Sequence, residues 1–167
     1  MSYVLAFVLL LGASYGLHAQ DACQVVLDSM NKMNATPRHS YFTMTFTGRP
    51  PVESEAIFDG SNSYMKTGQK WSRLPLTPEQ LQKQTEESQK RTRHTCSFVR
   101  DETINDEPVA LYSFNTESAT SHSEGRVWIS KRSGLPLQQE TNITSSAAPS
   151  FMRARHEYAN VKAPPIS

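Results

Sequence analysis

Two cysteines, five histidines and two pairs of neighbouring carboxylates are the side chains of this sequence with the clearest chemistry to offer. The histidines stand at positions 18, 39, 94, 122 and 156, with no His-x-x-x-His or paired-cysteine spacing, so they read as isolated strand or loop residues and no metal is expected. Asp101-Glu102 and Asp106-Glu107 gather four carboxylates around one turn. Their spacing matches no calcium loop and lacks the turn glycine, which leaves a solvated acidic turn. Beyond residue 19 the sequence carries no Gly-x-Ser-x-Gly, Walker or dinucleotide fingerprint, and no nucleophile falls beside a base and an orienting acid. No cofactor is expected, and a hydrolase ranks behind non-enzymatic readings.

The cysteines say more once the N-terminus is read. Val4 to Leu11 is an unbroken apolar run followed by small residues up to Ala19, the layout of an export signal, and cleavage is placed after Ala19. The run is too short to span a bilayer, and Gln20, Asp21 and Ala22 are too polar for Cys23 to be a lipoprotein cysteine. This gives a signal segment over 1–19, a single domain over 20–162 and a frayed tail over 163–167, in a periplasmic or extracellular protein. In an oxidising compartment Cys23 and Cys96 pair, and the long loop so closed is worth roughly 4 kcal/mol in the chain-entropy model. The alternative, a nucleophilic Cys96 thiol next to His94, needs a free thiol and an orienting partner.

Composition narrows the class further. The chain has 167 residues, 37% of them hydrophobic, and a net charge of +1. The apolar share falls once the first 19 residues are set aside, but balanced charge and clean alternation favour a folded, polar, β-rich domain over disorder. Without a basic excess there is no counterion release to drive nucleic-acid binding. No stretch after residue 19 is apolar enough to span a membrane as a helix.

These residues must be positioned by elements whose periodicity is readable. Ala22, Cys23, Val26, Leu27, Met30 and Met33 recur at helical spacing behind a capping-box pattern at Asp21 and Gln24, predicting an amphipathic helix over 22–34 that Thr36-Pro37 ends. From Ser40 the period drops to two, with Phe42, Met44 and Phe46 on one face. Strands over 40–47, 52–59, 64–67 and 69–73 form an antiparallel meander. Thr77-Pro78-Glu79-Gln80 starts a helix over 78–91 whose one large apolar residue is Leu81; Glu79 with Lys83, Glu86 with Lys90 and Glu87 with Arg91 offer charge pairs along it. Such a helix is a solvated connector or a mobile lid hinged at Leu74-Pro75-Leu76. Strands over 94–102, 109–116, 126–131, 137–144 and 151–160 follow, with a polar loop over 116–124. The strand over 109–116 reads as covered on both faces. The sum is a mainly β, α+β domain: a bent antiparallel sheet or incomplete β-barrel of about nine strands with an N-terminal helix and a second, polar helix.

Val127-Trp128-Ile129-Ser130-Lys131 followed by Gly134-Leu135-Pro136-Leu137 resembles the strand-turn-strand segment of the LolA/LolB-like superfamily of exported bacterial proteins, which includes outer-membrane lipoprotein carriers. His156-Glu157-Tyr158-Ala159-Asn160-Val161 is similar to its closing strand, and Lys70-Trp71-Ser72-Arg73 before a polar helix to its middle section. The resemblance implies an incomplete barrel whose open side, covered by helices, encloses an apolar cavity for acyl chains. Phe42, Met44, Phe46, Phe58, Tyr64, Trp71, Phe98, Tyr112, Phe114 and Trp128 are suited to line such a concave sheet, although one-sided aromatic strands are also what an ordinary core uses. The function expected is a non-enzymatic module binding a lipid, acyl chain or lipoprotein segment. The alternative is an envelope protein-interaction or stress-response module with a filled core and no lipid ligand.

Overall fold

The computed structural model describes residues 17–145 and 149–166; the apolar run at 4–11 lies outside them. Helix α1 runs from Leu17 to Ala35. It begins five residues ahead of the expected start, so positions 21 and 24 lie inside the helix rather than at its N-cap. Leu17-His18-Ala19-Gln20 contains no helix breaker, and Gln24 Nε2 instead donates to Asp28 Oδ1 at 2.8 Å. At the other end the free carbonyls are met by side chains: Thr36 Oγ1 donates to Lys32 O at 2.7 Å and Arg38 Nη1 to Met33 O at 2.6 Å.

Nine strands follow: β1 (Arg38–Phe46), β2 (Val52–Phe58), β3 (Ser63–Thr67), β4 (Lys70–Arg73), β5 (Arg93–Ile104), β6 (Glu107–Glu117), β7 (Ser121–Ser130), β8 (Pro136–Ser145) and β9 (Ser150–Glu157), with α2 (Pro78–Lys90) between β4 and β5. They form one antiparallel sheet, ordered β4-β3-β2-β1-β9-β8-β7-β6-β5, that does not close into a barrel. Two meanders are thus joined along β1 and β9, and α2 carries the chain from one edge of the sheet to the other. The expected polar loop over 116–124 shrinks to residues 118–120, because β6 continues to Glu117 and β7 starts at Ser121. His122, Ser123 and Glu124 pair with both β6 and β8, and Ser121 with β8, although their side chains show no apolar alternation. The last strand stops at Glu157 rather than 160, and among the described residues no helix or strand follows it.

Register assigns the two faces, since directly paired residues share a side. Phe42 pairs with Ala154, Ala154 with Gln139, Gln139 with Val127, Val127 with Tyr112 and Tyr112 with Phe98. On this face α1 packs over the β5 end. Ala22, Val26, Cys96, Val127 and Ile129 are buried together, with Cys23, Met30, Tyr112 and Phe114 against them. The helix is tied down by a disulfide between Cys23 and Cys96, whose Cα atoms are 4.9 Å apart. The opposite face has its own smaller core of Val109, Leu111 and Trp128, so β6 is covered on both sides. Trp128 Nε1 donates to Glu102 Oε2 at 2.7 Å, and that hydrogen bond lowers the carboxyl pKa of Glu102. Three of the four acidic residues at the turn are held by side chains: Asp101 by Lys131, Glu102 by Arg100 and Trp128, and Glu107 by Arg132 and Ser130; Asp106 takes positive φ in the turn itself.

Thr77 caps α2 as expected, accepting from Gln80 N at 3.3 Å while its own N–H donates to Gln80 Oε1 at 2.9 Å. The three expected charge pairs do not close as ion pairs among the described residues; Gln82 Nε2 donates to Glu86 Oε1 at 3.0 Å instead. Exposed pairs of this kind contribute too little to fix their geometry.

Candidate functional site

The face under α1 is covered only in part. Along β1, Phe42, Met44 and Phe46 project to this side, and Met44 is flanked by Val52 on β2 and Met152 on β9. None of these five packs against the buried cluster beneath α1. Val52 is 54% exposed and the other four are half-buried. Phe46 pairs with Ser150, and Ser150 with Ile143, which extends the apolar row onto β8.

Of the ten residues expected to line a cavity, seven lie on this face: Phe42, Met44, Phe46, Phe58, Phe98, Tyr112 and Phe114. They fall into three settings. Tyr112 and Phe114 pack beside α1, with Phe98 edge-on to Tyr112 at 5.7 Å. Phe58 is buried beneath the Arg38 guanidinium, 5.4 Å from its ring centre. Phe42, Met44 and Phe46 remain open. Tyr64, Trp71 and Trp128 lie on the opposite face: Tyr64 pairs with Ile57, Trp71 with Lys66, and Trp128 with Leu111. Trp71 carries the Lys66 ammonium 5.8 Å from its ring. Lys66 also bonds Glu55 at 2.6 Å, and that hydrogen bond lowers the carboxyl pKa of Glu55. Val52, Met152 and Ile143 carry no local sequence signal, because each meets its apolar neighbours only across a strand pairing.

Beside this row a cavity of about 370 Å³ opens between α1, α2 and the sheet, lined by Asn31, Asn34, Arg38, Phe58, Ser63 and Leu81 among others. Leu81 is the half-buried contact that α2 brings to it. Behind it Ser40 Oγ and His156 Nδ1 are 2.9 Å apart, but both residues are buried, at 2% and 7% exposure, so the pair is shut away from a dissolved substrate. Burial and the nearby Arg38 charge bring the His156 pKa down to about 4. Tyr158, raised by burial, donates its hydroxyl to Pro136 O at 2.6 Å. Among the described residues no three or more His, Cys, Asp or Glu side chains gather to hold a metal ion, and no helix is long and apolar enough to cross a membrane.

Fold and face together define an open antiparallel sheet whose apolar side carries a disulfide-anchored helix over one end, α2 beside a neighbouring cavity, and a half-exposed row along β1. No family model and no curated protein matches the chain. Solved structures similar to it include LprF from Mycobacterium bovis, at 10% identity over 90% of this chain and 99% of that one, with a TM-score of 0.47. The Pseudomonas aeruginosa MucA/MucB complex matches at 11% identity over 86% of this chain, with a TM-score of 0.41; the chain spans 59% of the matched protein's length. A LolA superfamily protein, NE2245 from Nitrosomonas europaea, matches at 6% identity over 86% of this chain and 94% of that one, with a TM-score of 0.31.

Proposed function

We propose that this chain is an exported, non-enzymatic binding module that takes an acyl chain, free or as part of a lipid or lipoprotein segment, on the α1 side of its sheet. One observation carries the reading: Phe42, Met44 and Phe46, flanked by Val52 and Met152, form an apolar row that no helix or strand covers among the described residues. It extends about 13 Å along β1 and about 10 Å across three strands at ordinary strand spacings. Methionine suits such a surface because its unbranched side chain adapts to a flexible ligand. The Cys23–Cys96 disulfide supports placing the protein in an oxidising compartment, with residues 1–19 removed on export and 20–162 forming the mature domain. In this reading α2 is a lid over the neighbouring cavity, held by little more than Leu81.

The test is binding of a fluorescent fatty acid to the purified protein. Saturable binding that is lost in both Met44→Glu and Phe46→Glu, with folding retained, is the expected result. Absence of binding, or binding that both variants keep, overturns the proposal. The first of these outcomes favours the alternative, an envelope protein-interaction or stress-response module. The observation on its side is that Phe98 and Val99, 53% and 43% exposed, sit on the edge strand β5, where another chain has access.

A further inference from the structure

On the face opposite α1, β5 to β9 form a basin of about 610 Å³ that the acyl reading does not use. Its floor consists of two rows of polar side chains running across the strands. In one, Ser97 pairs with Ser113, Ser113 with Arg126 and Arg126 with Glu140. In the other, Thr95 pairs with Asn115, Asn115 with Glu124, Glu124 with Asn142 and Asn142 with Phe151. Gly125 stands between the rows, where a Cβ would collide with the backbone oxygen of Glu140 and with the Phe114 ring. Only glycine permits this close strand approach, while strand alternation places Glu124 and Arg126 on the basin side.

Three features show what the basin would hold. Asn115 Oδ1 is buried with no hydrogen-bond partner among the described residues, so an acceptor waits for a donor. Glu124 and Arg126 make no ion pair among the described residues, whereas Glu140 is engaged by Arg153 at 2.9 Å. The lining therefore offers donors and acceptors of both charge signs, which fits a neutral ligand rich in groups that both donate and accept. Phe151 adds an aromatic ring at one end.

We propose that this basin binds a neutral, β-linked oligosaccharide laid across the strands. Neighbouring strands repeat at about 4.8 Å, so each row presents polar groups at a pitch close to the length of one sugar ring in an extended chain. Sugar hydroxyls supply the donor that Asn115 Oδ1 lacks and bridge Glu124 and Arg126, while Phe151 offers an apolar surface to a ring face. A peptide fits less well, because β6 to β9 are paired on both sides and leave no backbone groups free for it.

Amide NMR titration of the full chain with chitotetraose and cellotetraose tests this. Saturable shifts confined to residues 95–97, 113–115, 124–126 and 140–142 are expected with at least one of the two sugars. Affinity should fall about tenfold in Arg126→Ala and in Asn115→Ala, the worth of one hydrogen bond to a charged or otherwise unsatisfied buried group. Arg126 is exposed, so its variant keeps the test open should Asn115→Ala fail to fold. The proposal is overturned if neither sugar shifts these amides at millimolar concentration, if the shifts map to β1, or if Arg126→Ala binds unchanged. It is equally overturned if tetra-alanine moves the same amides while both sugars do not.

Discussion

Ser40 Oγ and His156 Nδ1 stand 2.9 Å apart across the pairing of β1 with β9, joining residues 116 positions apart where the two meanders meet. The contact is buried, the Phe42 and His156 ring centroids lie 6.4 Å apart with the rings near-perpendicular, and His156 Nε2 has no partner among the described residues. A neutral imidazole is therefore part of the seam that holds the sheet together.

Stability should consequently depend on pH through His156. Its folded pKa of about 4 lies below the roughly 6.5 of an unfolded histidine, so the unfolded chain binds the proton more readily. The contribution is fully present above about pH 6.5 and is lost as pH falls toward 4, to a total of about 3 kcal/mol. Urea unfolding from pH 7 to 4 measures it. His156→Asn should lose less stability than the parent over that interval, and equal losses would show that the imidazole is not held neutral by the fold.

Replacing Cys23 and Cys96 together by serine should cost about 4 kcal/mol, since the bridge spans 73 positions and restricts the unfolded chain. The loss should appear as a lower unfolding midpoint. Hydrogen exchange in α1 should rise more than in β1, because the bridge is what ties the helix to β5.

Two truncations separate core from open surface. Leu111 is 1% exposed, so Leu111→Ala should destabilise by about 2–5 kcal/mol. Phe46→Ala, on the uncovered row, should cost under about 1 kcal/mol. Similar losses in thermal unfolding would mean that Phe46 is core, and the row would no longer be a candidate surface.

Helix α2 should be the least stable regular element. Its capping box favours the start, but Leu81 alone brings apolar contact and a helix of 13 residues is marginal without docking. Amides of 81–90 should exchange far faster than those of 109–114, and bound ligand should slow them if the helix closes over it. Protection equal to β6 without ligand would contradict the lid.

Strand content was legible because alternation at Phe42, Met44 and Phe46 or at Ala110, Tyr112 and Phe114 is a local signal. The capping box at Thr77 and the turns at Gly68 and Gly134, both with positive φ, were legible for the same reason. The joining of β1 to β9 is not local, and alternation within a strand does not say which of its two faces matches which face of a neighbour. That is why Tyr64, Trp71 and Trp128 read like Phe42 but lie on the other side. A bulge at Val99 adds to the difficulty: Phe98 pairs with Tyr112 and Arg100 with Leu111, so one residue changes the face of all that follows it. The start of β7 was hidden because Ser121 to Glu124 are polar on both faces.

The central claim, an acyl chain lying along β1 on the α1 side, is tested most directly by photocrosslinking with a diazirine fatty acid and mapping the modified residues by mass spectrometry. Attachment at Phe42, Met44, Phe46, Val52 or Met152, competed away by unlabelled fatty acid, is the predicted result. Attachment confined to the opposite face, or none that competitor removes, would contradict it.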